Sequence, residues 1–364
     1  MNTRLKFSRA NKTSFLATVR KRVDLHFSDI GNNTNANREM WAKTIFFLTC
    51  FFGLYGLIIS NIFSAWAMLP MAILLGMFSA FVGFNICHDA IHGSFSSNKI
   101  VNKVFSYLFN FLGASPYVWN ITHNGVHHTY TNIPGHDEDI EVAPGLIRIS
   151  DEEPVNRIQR YQHWYAFPLY GLASISWAFR KDYKKFFQAK VGQIAMQHPK
   201  KEYFNLFFSK ALYYFFFIVL PLLVLNVTWW QFIIGFVALH MAQGITMGLV
   251  FQLAHVVEGT HFPVPDETGT MEEAWAEHQM RTTANFSGDC PLAAFFLGGL
   301  NRQIEHHLFP KVCHIHYGKI GKIVKQTAKE FNIPYIENRT FFSALKSHYR
   351  MLKRFGRDAE VVRV

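Results

Sequence analysis

The chain has 364 residues, of which 50% are hydrophobic, 16% are aromatic and only 17% are charged. A soluble domain carries about 25% charged residues, so this composition excludes a disordered, collagen-like or small disulfide-stapled protein and favours a membrane protein with a substantial aqueous part. The 36 Lys and Arg residues outnumber the 25 Asp and Glu residues. Beside long apolar segments, this excess fits contact with anionic lipid headgroups, and we expect no nucleic-acid partner.

Residues 1–43 are polar and contain nine basic residues but no apolar core. This pattern predicts a cytoplasmic N-terminal segment rather than a cleavable signal peptide. A first transmembrane hairpin is predicted over 44–87, with spans at 44–60 and 65–87. Each span approaches the roughly 20 apolar residues that a bilayer crossing needs.

A second transmembrane hairpin is predicted over 211–254, with spans at 211–227 and 232–254. Between the hairpins lies a segment over 88–210 that we expect to be cytoplasmic or interfacial. Its two interrupted apolar stretches, near 104–118 and 167–179, are interpreted as helices at the membrane interface. The fold class is therefore predicted as an all-α integral membrane protein with four spans.

Basic residues predict the orientation of these spans. Nine precede the first span, thirteen lie in 88–210, fourteen lie in 255–364, and the turns of the two hairpins contain none. Because positive charge favours the cytoplasmic side, both termini and the segment between the hairpins are expected there. We also expect a helical cap on the cytoplasmic side of the membrane.

The 18 histidines include three closely spaced groups. They occur in the sequences HDAIH, HNGVHH and QIEHH, and one further histidine ends the fourth span in FQLAH. Histidines four residues apart share one face of a helix. All of them are predicted on the cytoplasmic side, at or just beyond membrane exits. The candidate ligands are His88, His92, His123, His127, His128, His255, His306 and His307.

One histidine at a membrane interface is usually an anchor or a hydrogen-bonded core residue. Several adjacent rings would repel one another when protonated and would leave buried polarity when neutral, so a cation is expected to organise them. Imidazole suits Zn, Cu, Fe and Ni, and eight nitrogen ligands are enough for two ions. Iron would indicate oxygen chemistry on a membrane substrate, whereas zinc would indicate hydrolysis.

The three motifs resemble the histidine boxes of membrane fatty acid desaturases. HDAIH, WNITHNGVHHTYTN and GGLNRQIEHHLFP follow in the order and spacing of that family, and the likeness extends over about 46–348. The glutamine that opens the third box, with HQMRTTANFS and FPKVCHIHY, is similar to front-end and related acyl-lipid or acyl-CoA desaturases. The resemblance implies two iron ions, O2 as co-substrate and removal of two hydrogens from a long acyl chain.

The resemblance also implies roles for individual residues. The eight histidines would be the iron ligands, and Gln303 stands where many desaturases have another histidine. Acidic residues beside the boxes are candidates to accept the second N–H of a ligating ring, as outer carboxylates do in metal sites; each could equally be a solvated carboxylate or a helix cap. These candidates, with two residues that could wall the site or simply pack, are Asp89, Asp137, Asp139, Glu305, Trp119 and Asn120.

The expected partners are a long-chain acyl-CoA or acyl-lipid, the surrounding membrane lipid and an external electron donor. HPGG, CxxC and GxGxxG motifs are missing from the sequence, so a separate ferredoxin or a cytochrome with its reductase would supply electrons. The basic segment 311–363 is a candidate docking surface for an acidic donor. The residues that could bind a CoA phosphate or anionic lipid are Arg157, Arg160, Arg180, Lys181, Lys184 and Lys185.

Two other functions remain open from the sequence. A related histidine-box oxygenase would hydroxylate a lipid or alkane with the same metal chemistry. A membrane metal or haem transport protein would also use paired histidines, but it requires ligands within the spans or on both faces of the membrane. The gathering of the histidines on one predicted side favours an enzyme.

Overall fold

The structure is a computed structural model that describes residues 5–8, 13–151 and 153–357. Four of the basic residues counted above, Arg4, Arg9, Lys12 and Arg363, lie outside these ranges. The first half of the described chain is built from the α-helices α1 Phe15–Asp29, α2 Arg38–Ile59, α3 Ala65–Val82, α4 His88–His92, α5 Lys99–Tyr107, α6 Pro116–Trp119, α7 His128–Tyr130, α8 Gln162–Gly171, α9 Ala173–Ser176 and α10 Asp182–Phe187.

The second half contains α11 Lys200–Tyr214, α12 Leu220–Val224, α13 Trp229–His255, α14 Trp275–Thr282, α15 Pro291–Phe296, α16 Gln303–Leu308, α17 Tyr317–Glu330 and α18 Phe341–Arg357. Wider π-helical turns, at Gly83–Cys87, Asn120–His127, Trp177–Lys181 and Phe215–Val219, and 3-10 turns, at Leu108–Leu112, Gln159–Tyr161 and His314–His316, connect several of them. Three pairs of two-residue strands complete the fold: β1 Lys6–Phe7 with β4 Thr270–Met271, β2 Lys190–Val191 with β3 Ile194–Ala195, and β5 Asn285–Phe286 with β6 Glu337–Asn338.

Within the described residues, four helices are long and apolar enough to cross a membrane. They cover Arg38–Ile59, Ala65–His92, Lys200–Val224 and Trp229–His255. The predicted all-α membrane fold with two helical hairpins is therefore confirmed. Each hairpin has a short turn, since five and four residues separate its helices.

Three of these helices begin earlier than their apolar segments predict, the fourth spanning helix by three residues. The first begins at Arg38, where the side chain of Asn37 accepts a hydrogen bond from the backbone N–H of Met40. The third begins at Lys200 after Pro199, eleven residues before the predicted start, because the mixed stretch 200–210 continues the same helix. Counting apolar residues locates the part that suits a bilayer, whereas capping and backbone hydrogen bonds set the helix ends.

Glycines allow the fourth spanning helix to approach the second spanning helix, at Gly76, and α8, at Gly171, closely. A Cβ on Gly76 would lie 2.1 Å from the carbonyl oxygen of Leu239, and a Cβ on Gly244 would lie 2.2 Å from that of Gly171. Small residues at helix crossings are typical of membrane helix packing, because they let backbones make van der Waals contact. The contact between Gly76 and Leu239 holds together the two spanning helices whose ends carry His88 and His255.

A second apolar core lies beyond the spanning helices and forms a cap. It combines the inner faces of α1, α14, α16 and α17, with Phe15, Met280, Ile304 and Ile320 among its buried side chains. α1 and α17 pack on each other, and α17 packs on α16, which carries the third histidine box. The cap core thus holds that box against the ends of the spanning helices.

Candidate metal centre

The first box extends the second spanning helix beyond its apolar part. The helix continues from α3 through the π-helical turn Gly83–Cys87 into α4. It ends at Gly93, whose φ of 74° lies in the left-handed region that glycine adopts at low cost. His88 and His92 therefore stand one turn apart on one face, with ring centroids 4.7 Å apart.

The second box lies on a π-helical stretch. Ser115 caps α6 by accepting a hydrogen bond from Val118 N, and the helix then widens over Asn120–His127 before α7 begins at His128. Such turns are common at functional sites, because they alter the angular spacing of side chains. Here His123 and His127 stack at 5.0 Å, while His128 meets His123 edge-on at 4.8 Å.

The third box is carried by α16, and one further histidine ends the fourth spanning helix. His306 and His307 are fully buried, and so is His255 at the last position of α13. The ring of His307 lies 5.1 Å from that of His255 and 4.9 Å from that of His127. The helix that ends at His255 thereby meets two boxes that are distant in sequence.

The structure brings all eight candidate histidines into one continuous cluster. The closest rings from different boxes are His88 and His306 at 4.4 Å, and His128 and His307 at 4.4 Å. The side chains are buried, and only His92 is partly exposed. Spacing within each box predicted which rings share a face, but the meeting of the boxes is a result of the tertiary fold.

Nitrogen atoms in this cluster lack hydrogen-bond partners. The Nε2 atoms of five rings are buried without a partner, and those rings belong to His88, His92, His255, His306 and His307. Isolated buried polar atoms cost free energy, and several lone pairs directed at one another cost more, unless a cation binds them. The donor set consists of imidazole nitrogens and therefore fits a transition metal.

The nitrogens form two sets. His88, His92, His123 and His306 offer ligand atoms within 4.8 Å of one another, and so do His127, His255 and His307. His128 lies between the sets, with its Nε2 atom 3.2 Å from that of His123. The arrangement has room for two ions side by side.

Two of the predicted acidic residues contact the second nitrogen of a box-two ring. Asp137 Oδ2 lies 2.8 Å from Nδ1 of His127, and Asp139 Oδ2 lies 3.4 Å from Nδ1 of His123. A carboxylate at Nδ1 holds the proton there and leaves Nε2 free for a metal. Asp137 is buried, whereas Asp139 also pairs with Lys181 at 3.3 Å.

Three orienting contacts involve residues that the sequence did not single out for this role. His307 Nδ1 lies 2.7 Å from Oε1 of Gln279, and His306 Nδ1 lies 3.2 Å from the hydroxyl of Tyr317. His255 Nδ1 lies 3.3 Å from the carbonyl oxygen of Thr282. In the sequence, the one indication of this region was the family likeness of the neighbouring segments HQMRTTANFS and FPKVCHIHY. That likeness did not predict any contact with a histidine.

Burial determines the protonation of the cluster. Loss of hydration lowers the pKa of His128, His306 and His307 well below its usual value, and the other rings add to this by mutual repulsion. For His127, burial acts in the same direction, but the charge and hydrogen bond of Asp137 outweigh it and raise the pKa. Most of the rings are therefore neutral near pH 7, which is the form that binds metal.

The other two acidic candidates take different main partners. Glu305 accepts hydrogen bonds from Asn285 Nδ2 and from the hydroxyl of Tyr335, both at 2.8 Å, so its carboxylate ties α16 to the cap. Asp89 lies 3.9 Å from Nδ1 of His88, which exceeds a hydrogen bond. The hydrogen bonds of both carboxylates thus go to residues outside the boxes, and the role of Asp89 and Glu305 in orienting a box histidine stays a prediction.

Asp89 instead belongs to a buried polar group beneath the first box. Its Oδ2 atom accepts hydrogen bonds from Nδ1 of His314 at 2.8 Å and from the thiol of Cys313 at 3.0 Å. Lys43 Nζ, from the first spanning helix, lies 3.1 Å from Nε2 of His314. Because an ammonium group already contacts His314, this group is a hydrogen-bonded ion pair rather than a further cation site.

The remaining candidates differ in position. Trp119 is buried and stacks on His123 with centroids 4.0 Å apart and planes 19° apart, so it forms a wall of the cluster. Asn120 is exposed, and its Oδ1 atom accepts a hydrogen bond from Asn124. Gln303 is buried one turn before His306 and His307, and both polar atoms of its side chain lack partners.

A cavity of about 100 Å³ opens beside the cluster. His123, His127 and His255 line one side, and Asp139, Glu141 and Lys181 are its acidic and basic residues. Its apolar wall includes Trp119, Trp177, Met247 and Phe251. The four apolar residues also line a smaller space of about 20 Å³, which reaches Ser79, Leu112 and Gln243 between the spanning helices. The two spaces form an amphipathic path that passes the histidines.

The chain belongs to the fatty acid desaturase family, whose model matches residues 64–339. It is 35% identical over 97% of its length to the Acyl-lipid (8-3)-desaturase of Physcomitrium patens, covering 74% of that protein. It is also 35% identical to the sn-1 linoleoyl-lipid 6-desaturase of Synechocystis, covering 97% of this chain and 98% of that one. The family resemblance seen in the sequence is thereby confirmed, and the protein is an oxidoreductase.

Proposed function

We propose that this protein is an oxygen-dependent di-iron desaturase that introduces a double bond into a long acyl chain of a membrane lipid. The observation that carries the proposal is the cluster of eight histidines, five of them with buried, unpartnered Nε2 atoms, beside an amphipathic cavity. Family membership supports the reaction class. An unactivated methylene has no acidic proton, so side-chain acid–base catalysis cannot attack it and a bound redox metal must supply the oxidising power.

The residues would divide between two metal positions. One would be held by His88, His92, His123 and His306, and the other by His127, His255 and His307, with His128 between them. When bound, the iron ions would supply the activation of O2: two hydrogens would leave the acyl chain, two electrons would come from the donor, and O2 with two further protons would end as two waters. Gln303 lies on the same face of α16 as His306 and His307, where its unpartnered amide could hold a water or lie against a metal.

The cavity supports an acyl chain as the substrate. Its apolar wall would exclude water from the reacting carbons, and the narrow extension past Trp119 would hold the methyl end. Trp119 fixes the ring of His123 by stacking and at the same time borders the path. Because Trp119 has both roles, it would determine how far the acyl chain extends past the histidines.

Charges at the cavity support a lipid rather than acyl-CoA. Lys181 is paired with Asp139, and Lys185 with Glu138. Glu141 adds a second carboxyl group to the lining. CoA carries several phosphates and needs unpaired cations, whereas Lys181, the one Lys or Arg that lines the cavity, is already paired. The relatives named above are acyl-lipid or linoleoyl-lipid desaturases, which agrees with this choice.

The orientation follows from the distribution of basic residues. Both termini, the cap and the active site would face the cytoplasm, with electrons supplied by a separate ferredoxin or by a cytochrome with its reductase. α17 exposes Lys319, Lys322 and Lys329 on the side opposite its buried face. An acidic donor could dock on this part of the basic C-terminal segment.

Expression in a host that makes suitable acyl lipids tests the proposal. Mass spectrometry of the lipids should show acyl chains that have lost two hydrogens, and fragmentation would locate the new double bond. Chains that gain an oxygen atom would instead indicate a hydroxylase. Unchanged lipids combined with altered metal content of the membrane fraction would favour a transport protein. A His127→Ala variant expressed at equal level provides the control.

A further inference from the structure

The two sets of histidines are supported by different parts of the fold. α14 serves the set formed by His127, His255 and His307: the side chain of Gln279 contacts His307, and the carbonyl group of Thr282 contacts His255. In the other set, Tyr317 of α17 contacts His306, and Asp139 contacts His123. Each metal position therefore has its own orienting residues.

Gln279 is the most constrained of these residues. It is fully buried, and its Oε1 atom lies 2.7 Å from Nδ1 of His307 and 2.8 Å from the hydroxyl of Thr131. Thr131 in turn donates a hydrogen bond to the carbonyl oxygen of His127 at 2.6 Å. The contact links box two, box three and α14 at one point.

The contact between Gln279 and His307 bears on which ring nitrogen of His307 carries the proton. A neutral ring carries one proton, and Nε2 of His307 is buried among the other rings without a partner. If Nε2 provides its lone pair to a metal, the proton must sit on Nδ1 and needs an acceptor there. The amide oxygen of Gln279 is the nearest acceptor, at 2.7 Å, and it adds no charge beside the cluster. The hydroxyl oxygen of Thr131 lies farther from the same nitrogen, at 3.3 Å.

We propose that Gln279 is a positioning residue that fixes the tautomer of His307 and thereby controls occupancy of the metal position formed by His127, His255 and His307. The other position does not depend on it, because none of its rings contacts Gln279 and two of them, His306 and His123, are oriented by Tyr317 and Asp139. This inference rests on the proposed function, since it assumes two metal ions. It predicts that one ion is lost while the other stays.

The test is iron content per chain of the purified, iron-loaded full-length protein, combined with its EPR spectrum. Gln279→Met keeps the length of the side chain but removes the acceptor. We expect iron to fall to about half of the wild-type value, with a new signal from isolated high-spin ferric ions. Gln279→Glu keeps an acceptor at Nδ1 and should retain wild-type iron. Gln326→Met, on the exposed face of α17, is the matched control.

Full iron content in Gln279→Met, or equal loss from both positions, would overturn the proposal. Should that variant fail to elute as a folded protein, Gln279→Glu decides: retained iron supports the assignment, and lost iron overturns it. Failure of the proposed function is distinguishable. Wild-type protein that binds two iron ions but forms no double bond would defeat the desaturase activity and leave the role of Gln279 standing.

Discussion

The ring of His88, at the end of the second spanning helix, lies 4.4 Å from the ring of His306 in the cap. The first belongs to a helix that crosses the membrane, and the second to a short helix held by the cap core. Their contact means that the histidine cluster joins the two layers of the molecule. Its integrity therefore depends on helix packing within the spans as well as on the ligands.

Replacement of one ligand tests the cluster. His127→Ala should abolish desaturation while the protein still inserts, because one ring is lost without altering a spanning helix. The loss should exceed the roughly 100-fold that outer-sphere changes produce. Lipid profiling and iron analysis measure it. His26→Ala, on α1 outside the cluster, is the control and should retain activity.

The two carboxylates beside box two should differ in effect. Asp137→Asn should lower activity or metal affinity about 10- to 100-fold, because a buried carboxylate 2.8 Å from His127 is lost. Asp139→Asn should cost about 10-fold or less, since that carboxylate lies at 3.4 Å and is shared with Lys181. Metal titration of both variants measures the difference, and an inverted order would contradict the geometry.

The end of the cavity should set the accepted chain length. Ser79→Leu fills the space beside Leu112 and Gln243, so the product distribution should shift toward shorter acyl chains. Fatty-acid analysis of an expressing host measures the shift. Ile73→Phe places similar bulk on the lipid-exposed side of the same helix and should leave the distribution unchanged. Equal fatty-acid distributions for both variants and the wild type would show that this space is not part of the substrate path.

Glu141 should make stability depend on pH. Burial, together with Glu153 and Asp137, raises the pKa of its carboxyl group to about 7. A raised folded-state pKa favours the folded protein at low pH, and this contribution is lost as pH rises from about 4.5 through about 7. Glu141→Gln removes the effect, so it should melt above wild type at pH 8 and approach it at pH 5. Parallel melting curves at all pH values would contradict the shift.

Close packing of the spanning helices should be sensitive to one methyl group. Gly76→Ala places a Cβ against the backbone of Leu239 and should destabilise the protein by about 1–3 kcal/mol. Gly56→Ala, on the first spanning helix, meets open space and should be neutral or stabilising by about 0.4–1 kcal/mol. Unfolding of both variants in the same detergent distinguishes the sites.

Much of the fold was predictable because apolar length is a property of single segments, whereas the orientation inferred from basic residues stays a prediction. The four long helices were found this way, although the mixed residues 200–210 concealed the start of the third. Pairs such as His88 and His92 were predictable from helical spacing. The candidate ligands were likewise named from sequence, and their ligation of metal stays a prediction.

The orienting contacts were harder to predict, because they join residues that local patterns do not connect. Asp137 was a candidate since it lies ten residues after His127, whereas Gln279 and Tyr317 reach their histidines through the packing of α14 and α17. Proximity in sequence also does not identify the hydrogen-bond partners of Glu305. It is adjacent to His306, yet on a helix neighbouring residues point in different directions, and its carboxylate faces Asn285 and Tyr335.

Iron stoichiometry of the purified wild-type protein tests the central claim most directly. With eight imidazoles gathered in two sets, we expect about two iron ions per chain and a marked loss in His127→Ala. Protein that is folded and monodisperse but binds no iron after anaerobic loading would contradict the di-iron centre. Protein that binds zinc but no iron would contradict the di-iron centre as well.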